Sequence, residues 1–478
     1  MLTEIECRDL GGPTNIYCSC ACVHDGQSKL LIAVRSQLYC LSAVERLESS
    51  SSDMLPKMNV RWNLQSIQLY GIAPEAEIIS VTCLPESIST SMNKGRTPVI
   101  ALTSILGSEK TLHIYGSKNT REHGTVDLCT VFASHEECQT IRLDYFPTQL
   151  GHLTDSSPTF LVGGAIVDGN EVKGGNPVGS VHLYEYHPQQ RIFVENKLEQ
   201  EDEMMENLPS TPLSFDVKLI KSRRITAIGC QNGHTQLSVT DLSYQSQSIL
   251  LDGPVPSVRI FETRTQKSFV SLDVPSQLGH NTVLSQLDTS VTAAVPLPLF
   301  SSGEELNLVV ADATGRAIIF QDIAKELLKR PRVLPHSMDY DSITCIQLAD
   351  VDFDGNYELL LGTYGQQVLV YREVDTDTVV VQNHLGDVRE TREKEWKLCQ
   401  RISLPAPVQS MVWTPLVRDG TNLLAVITVN AVHILQPELQ KAKEKIIEVI
   451  NIATELKELE NKFQAINRRQ EELKKQLE

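Results

Sequence analysis

The sequence predicts an all-β chain: a seven-bladed β-propeller followed by a long, coiled-coil-like C-terminal α-helix. Three observations carry that expectation. A hairpin signature, two short apolar runs joined by a glycine or polar turn, recurs seven times. Further strand-like runs flank most copies, so each unit holds three or four strands. After the seventh copy the hydrophobic period changes from two to 3.5, and from Glu438 onward there is neither Gly nor Pro.

The copies are Leu30–Val34 with Leu38–Leu41, Val99–Leu102 with Leu112–Tyr115, and Phe160–Gly164 with Gly179–Tyr184. They continue with Ile225–Gly229 and Gly233–Val239, Leu308–Ala311 and Gly315–Phe320, Leu359–Tyr371, and Leu423–Ile427 with Val432–Leu435. Their starts lie 51 to 83 residues apart, a spacing that a pair of β-sandwiches would not produce. Ile78–Cys83, Ile343–Leu348 and Val408–Trp413 are strand-like runs that precede copies. One such unit cannot bury both faces of its sheet, so neighbouring units must stack and the ring must close. Residues 1–436 are therefore assigned to the propeller and residues 437–478 to the helix.

Cys18, Cys20 and Cys22, with His24, invite a metal-site reading. Spacing by two instead places the three thiols on one face of a strand, and structural zinc pairs are more widely spaced around a turn. Ser49–Ser52 reads as a surface loop and Pro147 as an edge or turn position. Gly163-Gly164 and Gly174-Gly175 bracket a long loop, and the acidic stretch Glu195–Glu206 reads as a solvated rim segment. The wide gap before the fifth copy leaves room for strands at Ser248–Leu251 and Ser257–Phe261. Asp322–Arg330 has the pattern of a short helix, and Thr376–Trp396 is a long connection that starts strand-like at Val379–Val381.

In the tail, Pro437 is placed at the first turn of a helix. Val449, Ile452, Leu456, Leu459, Phe463, Ile466, Gln470, Leu473 and Leu477 step by three and four, forming an a/d seam over four heptads. A helix of about 40 residues is roughly 60 Å long at 1.5 Å per residue. It cannot bury this seam against itself, so a partner helix is expected; folding back on the propeller is the alternative. Gln470 and Phe463 at a positions favour a specific pairing.

The formal net charge of −17 disfavours phosphate backbones, so no nucleic-acid partner is expected. The N-terminus is acidic without a long apolar core, and no apolar run approaches the roughly 20 residues that span a bilayer. No direct membrane insertion is therefore expected, and eleven cysteines, several inside apolar strands, suit reduced thiols in the cytoplasm.

One stretch carries recognisable site chemistry. Asp350, Asp352, Asp354, Asn356 and Glu358 occupy positions 1, 3, 5, 7 and 9 of a loop, with Gly355 allowing a sharp turn. The pattern fits a hard cation with oxygen ligands: carboxylates from the three aspartates and Glu358, and a backbone carbonyl from Asn356. It is not an EF-hand, because position 12 is Leu361. It is nearest to the calcium loop of FG-GAP, integrin-like propellers, and Asp419-Gly420 is a remnant of it in the seventh unit. Two readings stand side by side: a turn held by aspartate hydrogen bonds that needs no cofactor, and a weak Ca²⁺ or Mg²⁺ site. No phosphate-binding loop, nucleophile elbow or helical His pair is present, so the chain is not expected to be an enzyme.

Several strings resemble the kaptin family of cytosolic propeller proteins: Thr14–Tyr17, Phe146–His152, Ala227–Gly233, Leu251–Phe261 and Asp352–Tyr371. They fall in order across residues 10–436, and none is catalytic. The resemblance implies a subunit of the KICSTOR complex. That complex tethers a GATOR-type GAP complex at lysosomes and restrains TOR signalling when amino acids or glucose are scarce. It also implies a second FG-GAP-like propeller subunit as a partner. The family has been linked to actin filaments at cell projections, and an actin-binding role is the alternative. The net charge of −17 opposes acidic filaments, leaving a local basic face such as Lys221–Arg224. A calcium-dependent adhesion propeller is disfavoured by the lack of a signal peptide.

Overall fold

A computed structural model describes residues 1–48, 57–93, 97–117, 127–153, 157–166, 178–197, 205–220, 223–241, 259–264, 269–271, 280–286, 289–298, 306–321, 323, 331–375, 379–382, 388–391 and 394–477. Seven sheets, each built on four antiparallel strands in meander order, form a seven-bladed propeller, and one of the sheets is extended to six strands.

The ring begins with a strand that belongs to its end. β1 (Leu2–Asp9) forms the outer edge of the last blade. Blade 1 follows as β2 (Ser19–His24), β3 (Gln27–Val34), β4 (Gln37–Glu48) and β5 (Lys57–Ile67). Blade 2 is β6 (Glu77–Cys83), β7 (Ile100–Leu106), β8 (Glu109–Tyr115) and β9 (Cys138–Arg142), with the short helices α1 (Glu86–Asn93) and α2 (Leu128–Val131) in its loops. Blade 3 is β10 (Phe146–Leu153), β11 (Thr159–Ile166), β12 (Val178–His187) and β13 (Ile192–Glu195). Blade 4 is β14 (Pro212–Ile220), β15 (Arg223–Cys230), β16 (His234–Asp241) and, after an excursion, β19 (His280–Gln286). The excursion contributes β17 (Arg259–Arg264), parallel to β19, and β18 (Phe269–Ser271). Blade 5 is β20 (Val291–Pro298), β21 (Leu306–Asp312), β22 (Ala317–Phe320) and β23 (Pro331–Val333). Blade 6 is β24 (Ile343–Ala349), β25 (Glu358–Thr363), β26 (Gln367–Asp375) and β29 (Lys394–Ser403); the hairpin β27 (Val379–Gln382) and β28 (Val388–Thr391) is inserted before β29. Blade 7 is β30 (Val408–Thr414), β31 (Leu423–Thr428), β32 (Ala431–Pro437) and β1.

All seven predicted hairpins are the two middle strands of a blade. Their runs are continuously apolar because both faces are covered by neighbouring blades. Every residue of β21, β25 and β31 is buried. Apolar cores fill the joints: one cluster runs through blades 7, 1 and 2, and between blades 4 and 5 Ile225 and Leu237 meet Leu308, Val310 and Phe320. Burial of this kind stabilises by about 25 cal/mol per Å² of apolar surface.

The innermost strands share a feature that the hydrophobic pattern does not record. In β6, β10, β14, β20, β24 and β30 the register slips by at least one residue near the start. Such bulges leave backbone groups off the ladder, and side chains of neighbouring blades take them up. Ser80 Oγ accepts from Leu150 N at 2.7 Å, and Ser214 Oγ accepts from Ala294 N at 3.2 Å. Thr148 Oγ1 donates to Pro212 O and Thr344 Oγ1 to Val408 O, both at 2.8 Å. Glycine is required where the next inner strand presses on a blade: a Cβ at Gly362 would meet Val408 Cγ1 at 2.7 Å, and one at Gly229 would meet Val291 Cγ1 at 2.2 Å.

Several expectations need adjustment. Pro437 does not open the helix. It is the last residue of β32, paired with Leu2, and the helix α3 runs from Leu439 to Leu477. Pro147 lies in an inner strand at its bulge, consistent with an edge position. Trp396 belongs to the fourth strand of blade 6 rather than to a connection. Ser49–Ser52, Gly174-Gly175, Glu199–Glu203, Ser248–Leu251 and most of Asp322–Arg330 lie outside the described residues. No helix among the described residues is long and apolar enough to cross a membrane.

Candidate functional site

The acidic loop joins the inner strand β24 to β25 in blade 6. The structure brings Asp350, Asp352 and Glu358 together, with a carboxylate oxygen of each within 4.8 Å of the others. Local backbone demands explain part of this. Asp350 accepts from Asp354 N through Oδ1 and from Gly355 N through Oδ2, both at 3.1 Å. Asp354 Oδ1 turns away to accept from Asn356 N at 2.7 Å. Phe353 and Gly355 have φ of 60° and 87°, the left-handed conformations that the sharp turn needs. Glu358, 1% exposed, accepts from Val351 N at 2.8 Å.

A residue that the loop pattern did not contain completes the cluster. Arg372, from β26, forms an ion pair with Asp352 and donates from Nε to Glu358 Oε1 at 3.2 Å. The Leu359–Tyr371 pairing places it one step further along the neighbouring strand. Desolvation, and after it the Asp352 charge, pushes the Glu358 carboxyl up to about 7 despite Arg372. Asp350 is also raised, chiefly by desolvation. Three carboxylates converge here, whereas Ca²⁺ takes about 6–8 oxygens, and Arg372 already occupies an oxygen of Asp352 and one of Glu358. These residues fit a turn with an internal guanidinium counter-charge more readily than a closed oxygen cage. Asp419 and Gly420 lie in the equivalent loop of blade 7, where Asp419 Oδ1 accepts from Thr421 N at 2.8 Å.

The inner strands enclose a central channel of about 290 Å³, lined by small polar side chains including Ser19, Ser80, Ser214 and Ser410. Ser80 and Ser214 are the serines that accept from the next blade's inner strand, and Ser19 and Ser410 hydroxyls are 2.8 Å apart. Tyr17 crosses from blade 1 to donate its hydroxyl to Leu213 O of blade 4. Lys218 and Asp216 form an ion pair on the lining at 3.1 Å.

The eleven cysteines, all among the described residues, form no disulfides, and most of them are buried or half-buried. Cys20 and Cys22 lie in β2, with Cys18 just before it, in keeping with a strand rather than a metal turn. Burial pushes Cys18, Cys230 and Cys345 up to about 12, so none is a thiolate at neutral pH.

The helix α3 presents the opposite picture. Val449, Ile452, Leu456, Leu459 and Phe463 are 49–65% exposed. Ile446, Ile447 and Ile450 are exposed as well, so the apolar surface of the first turns is wider than the predicted seam. Ile466, Gln470, Leu473 and Leu477 are within the helix, and their side chains lie outside the described residues. Of the basic stretch expected at Lys221–Arg224, Lys221 and Ser222 lie outside the described residues, as does the side chain of Arg223, and Arg224 sits in β15 with 2% of its surface exposed.

A family profile described as "KICSTOR complex protein kaptin" matches residues 2–447, the whole ring and the start of α3. The chain belongs to the kaptin family. A mouse relative, the KICSTOR complex protein kaptin of Mus musculus, is 27% identical over 401 residues, covering 82% of this chain and 80% of that protein. Among solved structures, BBS1N in complex with ARL6DN is similar with a TM-score of 0.47 and 12% identity, covering 91% of this chain and 97% of that one. Saccharomyces cerevisiae Sqt1 gives a TM-score of 0.41 at 10% identity over 91% and 98% of the two chains.

Proposed function

We propose that this protein is a non-enzymatic scaffold subunit of a KICSTOR-like complex. In this role it helps to recruit a GATOR-type GAP complex to the lysosomal surface and restrains TOR signalling when amino acids or glucose are scarce. The match to the kaptin family over residues 2–447 is the observation that carries the reading. The chemistry of the chain agrees with it. Burial raises the Cys18 and Cys345 thiols, and the channel hydroxyls of Ser80 and Ser214 bridge neighbouring blades. The exposed apolar surface of α3 supplies a docking element, with a helix of a second, FG-GAP-like propeller subunit as its partner. The Asp350 loop acts first as a structural turn neutralised by Arg372; a weak Ca²⁺ or Mg²⁺ ion would have to replace contacts that Arg372 makes.

Purification of the tagged chain from nutrient-starved cells, with associated proteins identified by mass, tests the proposal. Recovery of a second propeller and of lysosomal GAP-complex subunits is expected. Recovery of actin and its regulators alone would overturn it in favour of a cytoskeletal role.

A further inference from the structure

The joint at which the ring closes carries a cluster of mixed ligand chemistry. β1 and β32 pair antiparallel, with Cys7 opposite His433 and Glu4 opposite Leu435. In a regular strand, residues three apart point to opposite faces. Here the register slips between Glu4 and Glu6. The extra residue turns Glu4 to the same face as Cys7, over His433. As a result a Glu4 carboxylate oxygen, Cys7 Sγ and a His433 ring nitrogen all lie within 4.8 Å of one another.

The hydrogen bonds around His433 define what the cluster lacks. Thr428 Oγ1 donates its one proton to Ala431 O at 3.0 Å, so toward His433 Nε2, at 3.5 Å, it can only accept. On the other side of the ring Nδ1 faces Glu4 Oε1, 2.7 Å away. A proton held between these two atoms accounts for the short contact, and a metal ion can take the place of that proton. The partner on the far nitrogen is also the arrangement that orients a metal-bound histidine. His433 is buried while Glu4 and Cys7 are open to solvent, so an ion has a path in.

We propose that Glu4, Cys7 and His433 form a site for a zinc-class transition metal that staples the N-terminal strand to the last blade. One thiolate, one imidazole and one carboxylate match zinc rather than calcium, and three protein ligands leave the fourth tetrahedral position to water. The two anionic ligands balance the dication. On loading, the metal takes the Cys7 sulfur and His433 Nδ1 as donors. The thiol proton and the proton of the His433–Glu4 hydrogen bond leave to solvent, with no change of oxidation state. Because both strands of this joint come from opposite ends of the chain, the ion would favour the closed ring over the open chain by linkage.

The test uses the full chain, stripped by chelator and titrated with Zn²⁺ in competition with a colorimetric chelator, and separately with Co²⁺. One zinc per chain, a thiolate-to-cobalt charge-transfer band in the near ultraviolet and a zinc-dependent rise in unfolding temperature are expected. Cys7→Ser abolishes the band and weakens zinc by at least about tenfold. Glu4→Gln weakens zinc while keeping the band, and Cys399→Ser, at the other exposed cysteine, changes neither. The ligand variants on β1 fall on its exposed face, so the fold tolerates them. Absence of the band in the unaltered chain, or its persistence in Cys7→Ser, overturns the proposal.

Discussion

The ring and the helix treat the same residue types in opposite ways. In the ring, Leu361, Phe160 and Val426 are fully buried, each between two blades. In α3, Leu456, Phe463 and Val449 are more than half exposed. The ring satisfies itself by closing, since β1 supplies the fourth strand of blade 7 and every joint gains a core. A single 39-residue helix has no second surface of its own. What the difference teaches is where each part keeps its apolar surface: the ring buries it in the joints between blades, and α3 leaves it exposed, which is the surface that the proposed partner helix would cover.

Substitutions can break or sharpen that contrast. The largest effect is expected in the ring, where Phe160→Ala should cost about 3–5 kcal/mol, read as a shift of the denaturant midpoint. Removing the counter-charge of the acidic loop comes next. Arg372→Met leaves buried Asp352 and Glu358 side by side and should cost about 1–3 kcal/mol. Millimolar Ca²⁺ should raise the unfolding temperature of that variant more than that of the unaltered chain; equal responses would count against any cation role for the loop.

A third effect is set by pH. Desolvation holds His113 down to about 4, within a network of Ser104, Thr111 and Thr140. The folded chain keeps it neutral, while the unfolded chain protonates it below about 6.5. Its contribution is therefore present above pH 6.5 and is lost as the pH falls toward 4. His113→Gln should reduce the acid-induced loss of stability across that window by about 1–3 kcal/mol, measured as denaturation midpoints at pH 7 and pH 4.5. The smallest effect is expected in the helix: Leu456→Ala should leave the stability of the isolated chain within about 0.5 kcal/mol.

The middle strands of all seven blades were legible because doubly covered strands are apolar throughout and end in glycine or polar turns. The bulges were not, since one extra residue leaves composition unchanged. The closing strand escaped because Leu2–Asp9 is an exposed, acidic edge whose partner β32 lies more than 420 residues along the chain. Asp350, Asp352 and Glu358 stood out by spacing within one loop. Arg372 did not, because only strand pairing brings it there. The period of α3 marked Val449, Ile452, Leu456, Leu459 and Phe463, all of them exposed, whereas Ile446, Ile447 and Ile450 widen the apolar surface outside that period.

Removing residues 440–478 tests the contrast between ring and helix most directly. The shortened chain should unfold at the same temperature as the full one and should lose recovery of the partner propeller subunit from cell extracts. Unchanged recovery, or a ring that no longer unfolds cooperatively, would contradict the assignment of association to the helix and stability to the ring.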